Sequence, residues 1–407
     1  MMMRRFLTHT TTRVVAAVAL LTGIGYLIML RDPHYHPSYE ERSAAGASWA
    51  KDGFAVGVVW SHATDSGFLN GTTLAWEQVN AGGGPLAGKI RLRDFTDDGL
   101  GDGGEVAENV SSHPDIVAVI GEEVSSNAIP ASLVYENHGI LFLAPKSTDP
   151  RLTTHDFQYV FRLTPDDRAI AAALSSFAVE QHFKKVGVLY ARTDQGESLA
   201  PRFLAAAKDA GVEIAFCRSY LPHGGNWRDE DFRPLIAQIR EEQFDAIMIA
   251  DDVPRAAKLV LDLARMGVSQ PILASDKADS MMLWKIAGDA ANNVYVASAV
   301  DPFSRSAEYL AFRKQYKKRY GIEPGYGASQ GYDAFMLLVH AIAQSRTADP
   351  LVVSTTLRCT KEWKGLFGEY SFDNAGDVSG RPISVKRMFD GQFTTVTLFG
   401  GRHNDQS

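Results

Sequence analysis

The chain has 407 residues, of which 45% are hydrophobic and 22% are charged, with a formal net charge of −7. This length exceeds what one compact core usually contains, so we expect two domains of ordinary size. The composition is typical of a folded globular protein, and without a long Lys/Arg run it argues against nucleic-acid binding. The two cysteines, Cys217 and Cys359, form no C-x-x-C pair, which argues against thioredoxin-like chemistry and cysteine-based zinc sites. One disulfide and two unpaired thiols both remain open.

The N-terminal segment contains an apolar run of 17 uncharged residues, Val14–Leu30, with arginines on both sides. A bilayer core of about 30 Å needs roughly 17–25 apolar residues, so this run is long enough to cross a membrane. The sequence directly after it is a poor signal-peptidase site, so we favour an uncleaved anchor over a cleaved signal peptide. The basic flank predicts that residues 1–13 are cytoplasmic and that the chain after Leu30 is extracytoplasmic, at the inner membrane.

Residues 31–51 are polar and show no periodic apolar pattern, so we interpret them as a linker. His34 and His36 lie in this segment as H-Y-H. Two histidines at this spacing can ligate a metal ion. Since no other ligand stands near them in the sequence, we expect solvent-exposed linker histidines instead, and we predict no metal site.

From Phe54 onward, apolar runs alternate with amphipathic stretches. The apolar runs predict strands at 54–60, 89–95, 116–121 and 140–145. The stretches between them predict helices at 68–80, 105–112 and 128–137. Alternation of this kind indicates an α/β unit with a parallel sheet that is covered by helices on both faces.

A second series of the same kind begins near Thr164. Its predicted strands are 185–191, 212–220, 246–250, 271–275 and 294–299. Its predicted helices are 167–182, 197–210, 229–241, 253–266 and 280–287. The tail differs, with two consecutive helices followed by short antiparallel strands, predicted at 304–320, 328–345, 366–372, 383–389 and 393–399. The fold class predicted for the whole is α/β, with two doubly wound units in tandem.

The turn D-D-G-L-G-D-G-G-E matches the G-x-G-x-x-G spacing of dinucleotide sites through Gly99, Gly101 and Gly104. In dinucleotide-binding folds these glycines directly follow the first strand, whereas here they follow the second. Three aspartates in the same turn would also repel a pyrophosphate. We therefore interpret this stretch as a glycine-rich turn and predict no nucleotide or other cofactor.

Several segments together resemble the periplasmic branched-chain amino-acid-binding protein family. NAGGGPLAGKIRLRDFTDD resembles that family's Asn-x-x-Gly-Gly and Gly-x-x-Ile pattern with its paired acid. VIGEEVSSNAIPASLVYENHGILFLAPKSTDPRLT resembles its Ser-Ser, Pro-Ala, Tyr-Glu, Gly-Ile and Thr-x-Pro pattern, and YVFRLTPDD, QGYDAFMLLVHAI and SFDNAGD also fit. The resemblance extends from residue 54 to about residue 399. It implies two Rossmann-like lobes, joined by three crossovers, that close on a ligand in the cleft between them.

The resemblance and the hydrophobic pattern together predict the following division of the chain. Lobe I comprises residues 52–164 and about 300–375, and lobe II comprises residues 165–299 and about 376–407. Residues 1–13 are the cytoplasmic N-terminus, 14–30 the anchor and 31–51 the linker.

Ligands of open parallel sheets bind beyond the carboxyl ends of the strands. The residues selected by this rule and by the resemblance are Ser61, Phe68, Ser125, Ser126, Lys146, Ser147, Thr148, Gln195, Asp252 and Asp276. We predict no catalytic or metal-binding residues among them.

The serines at the start of the helix after the third strand suit a carboxylate, because free backbone N–H groups and small hydroxyls meet there. The resemblance implies that Ser125, Ser126 and Thr148 hold the α-carboxylate of a ligand. Capping of the helix by Ser125 or Ser126 is the structural alternative.

The resemblance also implies that Asp276 pairs with the ligand's ammonium group, with helix capping again the alternative. Two positions depart from the family, which usually has a small residue in place of Lys146 and an aromatic residue in place of Gln195. A lysine in the cleft adds positive charge, unless it points into solvent or is neutralised by Glu122 and Glu123. We therefore expect a polar or acidic amino acid, a dicarboxylate or an amide rather than an aliphatic amino acid.

The sequence contains no G-x-S-x-G, H-E-x-x-H or P-loop motif, so we expect no catalytic activity. The function that the resemblance implies is extracytoplasmic capture of a small amino-acid-like solute for an ABC uptake system. The partner would be the ABC permease. A ligand-sensing receptor subunit that signals to a membrane partner is the alternative.

Overall fold

The structure, a computed structural model, describes residues 36–61, 66–97, 103–222, 226–299 and 304–399. The predicted cytoplasmic N-terminus and the predicted anchor at 14–30 lie outside the described residues. Among the residues described, no helix combines the length and the apolarity that crossing a bilayer requires.

Residues 36–51, the described part of the segment predicted to be a linker, are largely helical, so the linker prediction is wrong there. This segment forms α1 (Tyr39–Ala47) and α2 (Trp49–Asp52). The Ser38 side chain accepts from the Glu41 backbone N–H, and the Glu41 carboxylate accepts from the Ser38 N–H, which forms a capping box at the start of α1. Arg42 is fully buried, because its guanidinium donates to backbone carbonyl groups of the first unit. A polar segment is thus held by hydrogen bonds rather than by an apolar face.

The first sheet has five parallel strands in the order β2-β1-β3-β4-β5. Its strands are β1 (Phe54–Trp60), β2 (Ile90–Thr96), β3 (Ile116–Gly121), β4 (Leu141–Ala144) and β5 (Val160–Arg162), and its helices are α3 (Ser66–Ala81), α4 (Gly103–Ser111) and α5 (Ser125–Asn137). Every residue of β1, β3 and β4 is buried, as expected for strands that are covered on both faces.

Of the glycine-rich stretch predicted to be a turn, residues 98–102 lie outside the described residues, and Gly103 is the first residue of α4. A Cβ atom on Gly103 would overlap the backbone of Asn127 in α5. Close packing of two helices therefore requires the glycine at the start of α4.

The second sheet has seven strands in the order β15-β14-β10-β9-β8-β6-β7, of which β6 to β10 are parallel. Its first elements in chain order are α6 (Asp167–Glu180), β6 (Lys185–Ala191), α7 (Asp194–Asp209), β7 (Glu213–Tyr220), α8 (Arg233–Ile239), β8 (Ala246–Ala250), α9 (Arg255–Arg265), β9 (Ile272–Ala274), α10 (Met282–Ala287) and β10 (Val294–Ser298). The 3-10 helices of both units are Pro150–Thr153, Trp227–Asp229, Asp276–Ala278 and Gly288–Asn293.

The C-terminal part contributes to both units. It contains α11 (Ala307–Tyr320), α12 (Tyr326–Ser345), α13 (Pro350–Cys359), β11 (Trp363–Gly365), β12 (Gly368–Phe372), β13 (Val378–Ser379), β14 (Ile383–Phe389) and β15 (Gln392–Phe399). The helices and the small sheet β11-β12-β13 pack on the first unit, whereas β14 and β15 complete the second sheet. The chain therefore passes between the units three times, after β5, after β10 and after β13.

The two cysteines do not pair: Cys217 is half-buried, Cys359 is exposed, and both are free thiols in the described structure. A disulfide, which the sequence analysis left open, is therefore not part of the fold described here.

Candidate functional site

The edges at which the parallel strands of the two sheets have their carboxyl ends face each other and are in contact. The Thr148 hydroxyl, which follows β4, lies 3.5 Å from the Gln195 amide oxygen at the start of α7. The Lys277 ammonium, which follows β9, donates to the Lys146 carbonyl at 3.3 Å. Both contacts join residues of different units, so the cleft between the units is closed at this edge.

On the first unit, Ser125 connects the start of α5 to the loop after β4. Its hydroxyl oxygen accepts from the Ser147 hydroxyl at 3.0 Å and from the Asp149 N–H at 3.3 Å. The N-cap residue of α5 is Val124, whose side chain cannot accept a hydrogen bond, so neither serine caps the helix. Ser126 is exposed. The start of α5 is thus a polar helix N-terminus at the cleft, a suitable position for a carboxylate.

The Lys146 side chain lies at the cleft, on the side of the first unit. Only 19% of it is exposed, so it does not point into solvent. Its ammonium pairs with the Glu123 carboxylate at 3.0 Å and lies 5.7 Å from the centroid of the Trp60 ring. Glu122, the other acid considered as its partner, is fully buried and accepts from the Tyr135 hydroxyl at 3.3 Å. Lys146 therefore brings little uncompensated charge to the cleft.

Phe68 and Ser61 belong to the floor of this region. The Phe68 ring is fully buried and stacks on Trp60 with a centroid distance of 3.6 Å and an interplanar angle of 6°. Ser61 directly follows β1 and is only 5% exposed.

On the second unit, Asp276 is the predicted partner of an ammonium group. Only 3% of its side chain is exposed, and its Oδ2 lies 3.9 Å from the Lys277 ammonium. Its Oδ1 is buried without a hydrogen-bond partner among the described residues. Burial raises the pKa of Asp276, while Lys277 and Lys146 act in the opposite direction and Asp252 adds to the rise. A buried carboxylate oxygen without a donor is suited to a cationic ligand group.

The neighbouring acids after β8 have different environments. Asp251 is fully buried and paired, since it accepts from the Tyr220 hydroxyl at 2.8 Å and from the Arg255 guanidinium at 2.6 Å. Asp252 is half-buried and lies near enough to Asp276 to raise its pKa. Asp251 is thus structural, and Asp252 contributes negative charge to the cleft.

Sequence reasoning missed two cleft residues that lie on α12. The Gln330 amide nitrogen donates to the Pro145 carbonyl at 2.6 Å, next to the loop after β4. The Tyr326 hydroxyl is buried close to Thr164 without a hydrogen bond of good geometry, and Asp276 helps to raise its pKa. The strand-end rule could not select them, because they come from a C-terminal helix that returns to the first unit.

Several buried polar atoms of this region have no hydrogen-bond partner within the described part of the chain. They are Trp60 Nε1, Gln195 Nε2, Asp276 Oδ1, the Tyr326 hydroxyl and Gln330 Oε1. Buried polar groups in native proteins are almost always paired, so a cluster of unpaired ones indicates a place for a polar ligand or water.

A separate groove of about 700 Å³ lies at the crossovers and is lined by Thr164, Arg168, Asp377, Arg381 and Phe399, among others. It includes none of the predicted site residues. Asp377 in this groove pairs with the buried Arg162 at 2.7 Å. This polar part of the groove therefore stabilises the connection between the two units.

Residues 60–391 match the sequence model of the periplasmic binding protein family. The chain belongs to this family. Members of the family bind solutes and are not enzymes, in agreement with the prediction of no catalytic activity. The periplasmic binding protein family also implies an extracytoplasmic location for the folded part.

Curated relatives of this binding protein include one from Pseudomonas aeruginosa and one from Brucella abortus. The leucine-, isoleucine-, valine-, threonine- and alanine-binding protein of Pseudomonas aeruginosa is 23% identical over 316 residues, which cover 77% of this chain and 83% of that protein. The Leu/Ile/Val-binding protein homolog 1 of Brucella abortus is 27% identical over 340 residues, which cover 82% of this chain and 89% of that protein.

Solved structures with the same fold include an ABC transporter substrate-binding protein from Desulfitobacterium hafniense in complex with Leu. It is 29% identical, covers 84% of this chain and 99% of its own, and has a TM-score of 0.74. A solute-binding protein of Rhodopseudomonas palustris in complex with 3,4-dihydroxybenzoic acid has a TM-score of 0.75 but only 19% identity, and covers 87% of this chain and 99% of its own. The second similarity concerns the fold alone.

Proposed function

We propose that this protein captures a small amino-acid-like solute between its two lobes and delivers it to an ABC permease. The observation that carries the proposal is the pairing of opposite chemistries across the cleft. The helix N-terminus at Ser125 offers donors to a carboxylate, and the unpaired Asp276 oxygen offers an acceptor to an ammonium group. The relatives that are named for leucine, isoleucine and valine support an α-amino acid.

The ligand we propose is a neutral, polar α-amino acid. Because Glu123 already neutralises Lys146, the cleft has little need of a second anionic ligand group. Gln195 places an unpaired amide nitrogen where the family usually has an aromatic ring. An amide or hydroxyl in the ligand side chain would pair with it, whereas an aliphatic side chain would leave it unpaired.

Closure of the lobes would accompany binding. The Thr148–Gln195 and Lys277–Lys146 contacts exist only when the two strand edges meet. A ligand that bridges Ser125 and Asp276 adds contacts to this closed state alone and therefore shifts the population toward it.

We also propose that residues 14–30 anchor the protein in the inner membrane, with residues 1–13 in the cytoplasm. The support is the uncharged run with its basic flank. Alkaline extraction of membranes, followed by N-terminal sequencing of the mature protein, tests this point. Release by alkali, or a mature N-terminus beyond residue 30, would contradict it.

The proposed binding function is tested by isothermal titration calorimetry and thermal shift with the common amino acids, their amides and short dicarboxylates. A ligand at about 100 times its dissociation constant stabilises the protein by roughly 2.7 kcal/mol, which a thermal shift detects easily. We expect binding of a polar α-amino acid and none of the same compound without its amino group. Saturable binding of dicarboxylates alone would refute the assignment of Asp276.

Co-purification from membranes tests the partner. An ABC permease that is retained by the wild-type protein supports transport. Retention of a sensor kinase or a receptor instead would favour the sensing alternative, to which no relative named above lends support.

A further inference from the structure

Three metal-ligating side chains meet on the first unit, at the end of α5 opposite to the cleft. His36 Nε2 lies 3.4 Å from Glu108 Oε2, and His138 Nε2 lies 3.5 Å from the same oxygen. The three ligand atoms all lie within 4.8 Å of one another. His138 follows the last residue of α5, a helix of 13 residues whose length of about 20 Å separates the cluster from Ser125. The cluster is therefore independent of the solute site.

Two of the three ligand-atom distances are close to those of a tetrahedral zinc site, and the third is at most 4.8 Å. Zn–N distances of about 2.0–2.1 Å and Zn–O distances of about 2.0–2.2 Å place two ligand atoms roughly 3.4 Å apart at the tetrahedral angle. Glu108, with 49% of its side chain exposed, and His36, with 27% exposed, have room to adjust around an ion. Two imidazoles and one carboxylate are a donor set that zinc uses with an open fourth position.

Two of the three ligands are positioned by helices of the first unit, and the third shortly precedes α1. Glu108 lies on α4, and His138 is the C-cap residue of α5. His36 stands two residues before Ser38, whose capping box fixes the start of α1. One turn later, the Arg42 guanidinium donates to the His138 carbonyl at 3.1 Å and thereby ties α1 to the end of α5. Such support by rigid neighbours is what a metal site requires.

The charges around the cluster are compatible with a dication. Arg42 is a cation close to His138, and its guanidinium donates to four backbone carbonyl oxygens, those of Ser111, His113, Ile116 and His138. The Glu108 carboxylate lies between the two imidazoles and supplies the negative charge.

We propose that His36, Glu108 and His138 bind one Zn²⁺ ion, with water in the fourth position. The ion fastens the segment before α1 to the first unit. It would thus add a metal bond to the hydrogen bonds by which Arg42 already holds α1.

The test is zinc titration of the purified full chain in detergent, without a polyhistidine tag and after removal of metal, against a competing chromogenic chelator. The variants are H36A and E108Q, and the matched control is H155A, which removes an exposed histidine outside the cluster. We expect one zinc ion per wild-type or H155A chain. Loss of a direct ligand should weaken zinc binding by at least about 100-fold, more than loss of a supporting residue usually does.

Hydrogen exchange of the α1 amides provides a second readout. Zinc should slow their exchange in the wild-type chain and in H155A, but not in H36A or E108Q. Circular dichroism and melting in the presence of chelator show whether the variants are folded, and amino-acid binding is measured separately. Zinc affinity that is equal in wild type, H36A and E108Q, or no stoichiometric binding by the folded wild type, would overturn the proposal.

Discussion

The exchange of Asp276 for asparagine should have opposite effects on ligand binding and on the stability of the empty protein. The D276N substitution keeps the shape of the side chain but removes its charge, so the ligand ammonium would be buried without a counter-ion. Truncating one partner of a buried, hydrogen-bonded charge pair costs about 2–5 kcal/mol. We therefore expect the dissociation constant of an amino acid to rise roughly 30-fold to several thousand-fold.

The empty protein should respond in the other direction. Burial raises the pKa of Asp276 in the folded state above its unfolded value of 3.8, so folding disfavours the charged form. The charged Asp276 therefore destabilises the folded state. This destabilisation is absent below pH 3.8 and develops as the pH rises through the folded pKa. At about pH 7.5 the empty D276N protein should therefore be at least as stable as the wild type, and its advantage should vanish toward pH 3.8.

The assay is calorimetric titration of the ligand together with urea unfolding of the empty protein at both pH values. D289N, which changes an exposed aspartate of the same lobe, is the matched control and should alter neither quantity. Unchanged affinity in D276N would remove Asp276 from the site. Weakened binding together with a less stable empty protein would show that the carboxylate is structural and would refute the reasoning.

Three further changes test other parts of the structure. R42A should lower the free energy of unfolding by at least about 4 kcal/mol, because charged hydrogen bonds to four carbonyl groups are lost, and R42K should recover only part of it in urea unfolding. Burial raises the pKa of Asp333 to about 6, so its contribution to stability falls as pH rises from about 4 to 6. The stability of D333N relative to wild type should accordingly improve by about 2.4 kcal/mol between about pH 4 and 7, and a constant difference across this range would refute the shift. Q195F introduces the aromatic residue usual in the family. In competition titrations it should shift the relative affinity toward an aliphatic and away from a polar amino acid by about tenfold. The control Q181F, at an exposed glutamine, should leave this ratio unchanged.

The buried strands could be predicted from sequence because their apolar runs are continuous and end at turn residues. Phe54–Trp60, Ile116–Gly121, Lys185–Ala191 and Ala246–Ala250 begin and end where the pattern predicted. Val160–Arg162 was missed, since three residues are too few to show a period. The 3-10 helix Pro150–Thr153 and the helix Pro350–Cys359 were missed, because each depends on an aspartate cap and a proline in the first turn rather than on hydrophobic periodicity.

The segment before Phe54 was wrongly predicted as a linker for a different reason. Its attachment depends on a buried arginine, and arginine in a polar stretch normally indicates solvent exposure. Only the tertiary structure shows that backbone carbonyl groups of the first unit surround the guanidinium. The same holds for His36, whose neighbours Glu108 and His138 are distant in sequence.

Residues of the candidate solute site could be predicted from sequence where they closely follow a strand, but not where they lie within a C-terminal helix. The rule selected Ser125, Thr148 and Asp276, which the structure places around one cleft. It could not select Tyr326 or Gln330, because their position depends on the return of α12 to the first unit. The ligand roles of all these residues remain predictions until a ligand is identified.

The docking of α1 and α2 also bears on the geometry of the whole protein at the membrane. An anchor that ends at residue 30 would leave residues 31–38 before α1, and eight residues reach at most about 29 Å. A free linker up to residue 51 would reach about 75 Å. With the anchor proposed above, this short connection would hold the first lobe close to the lipid surface, so opening of the cleft would mainly move the second lobe.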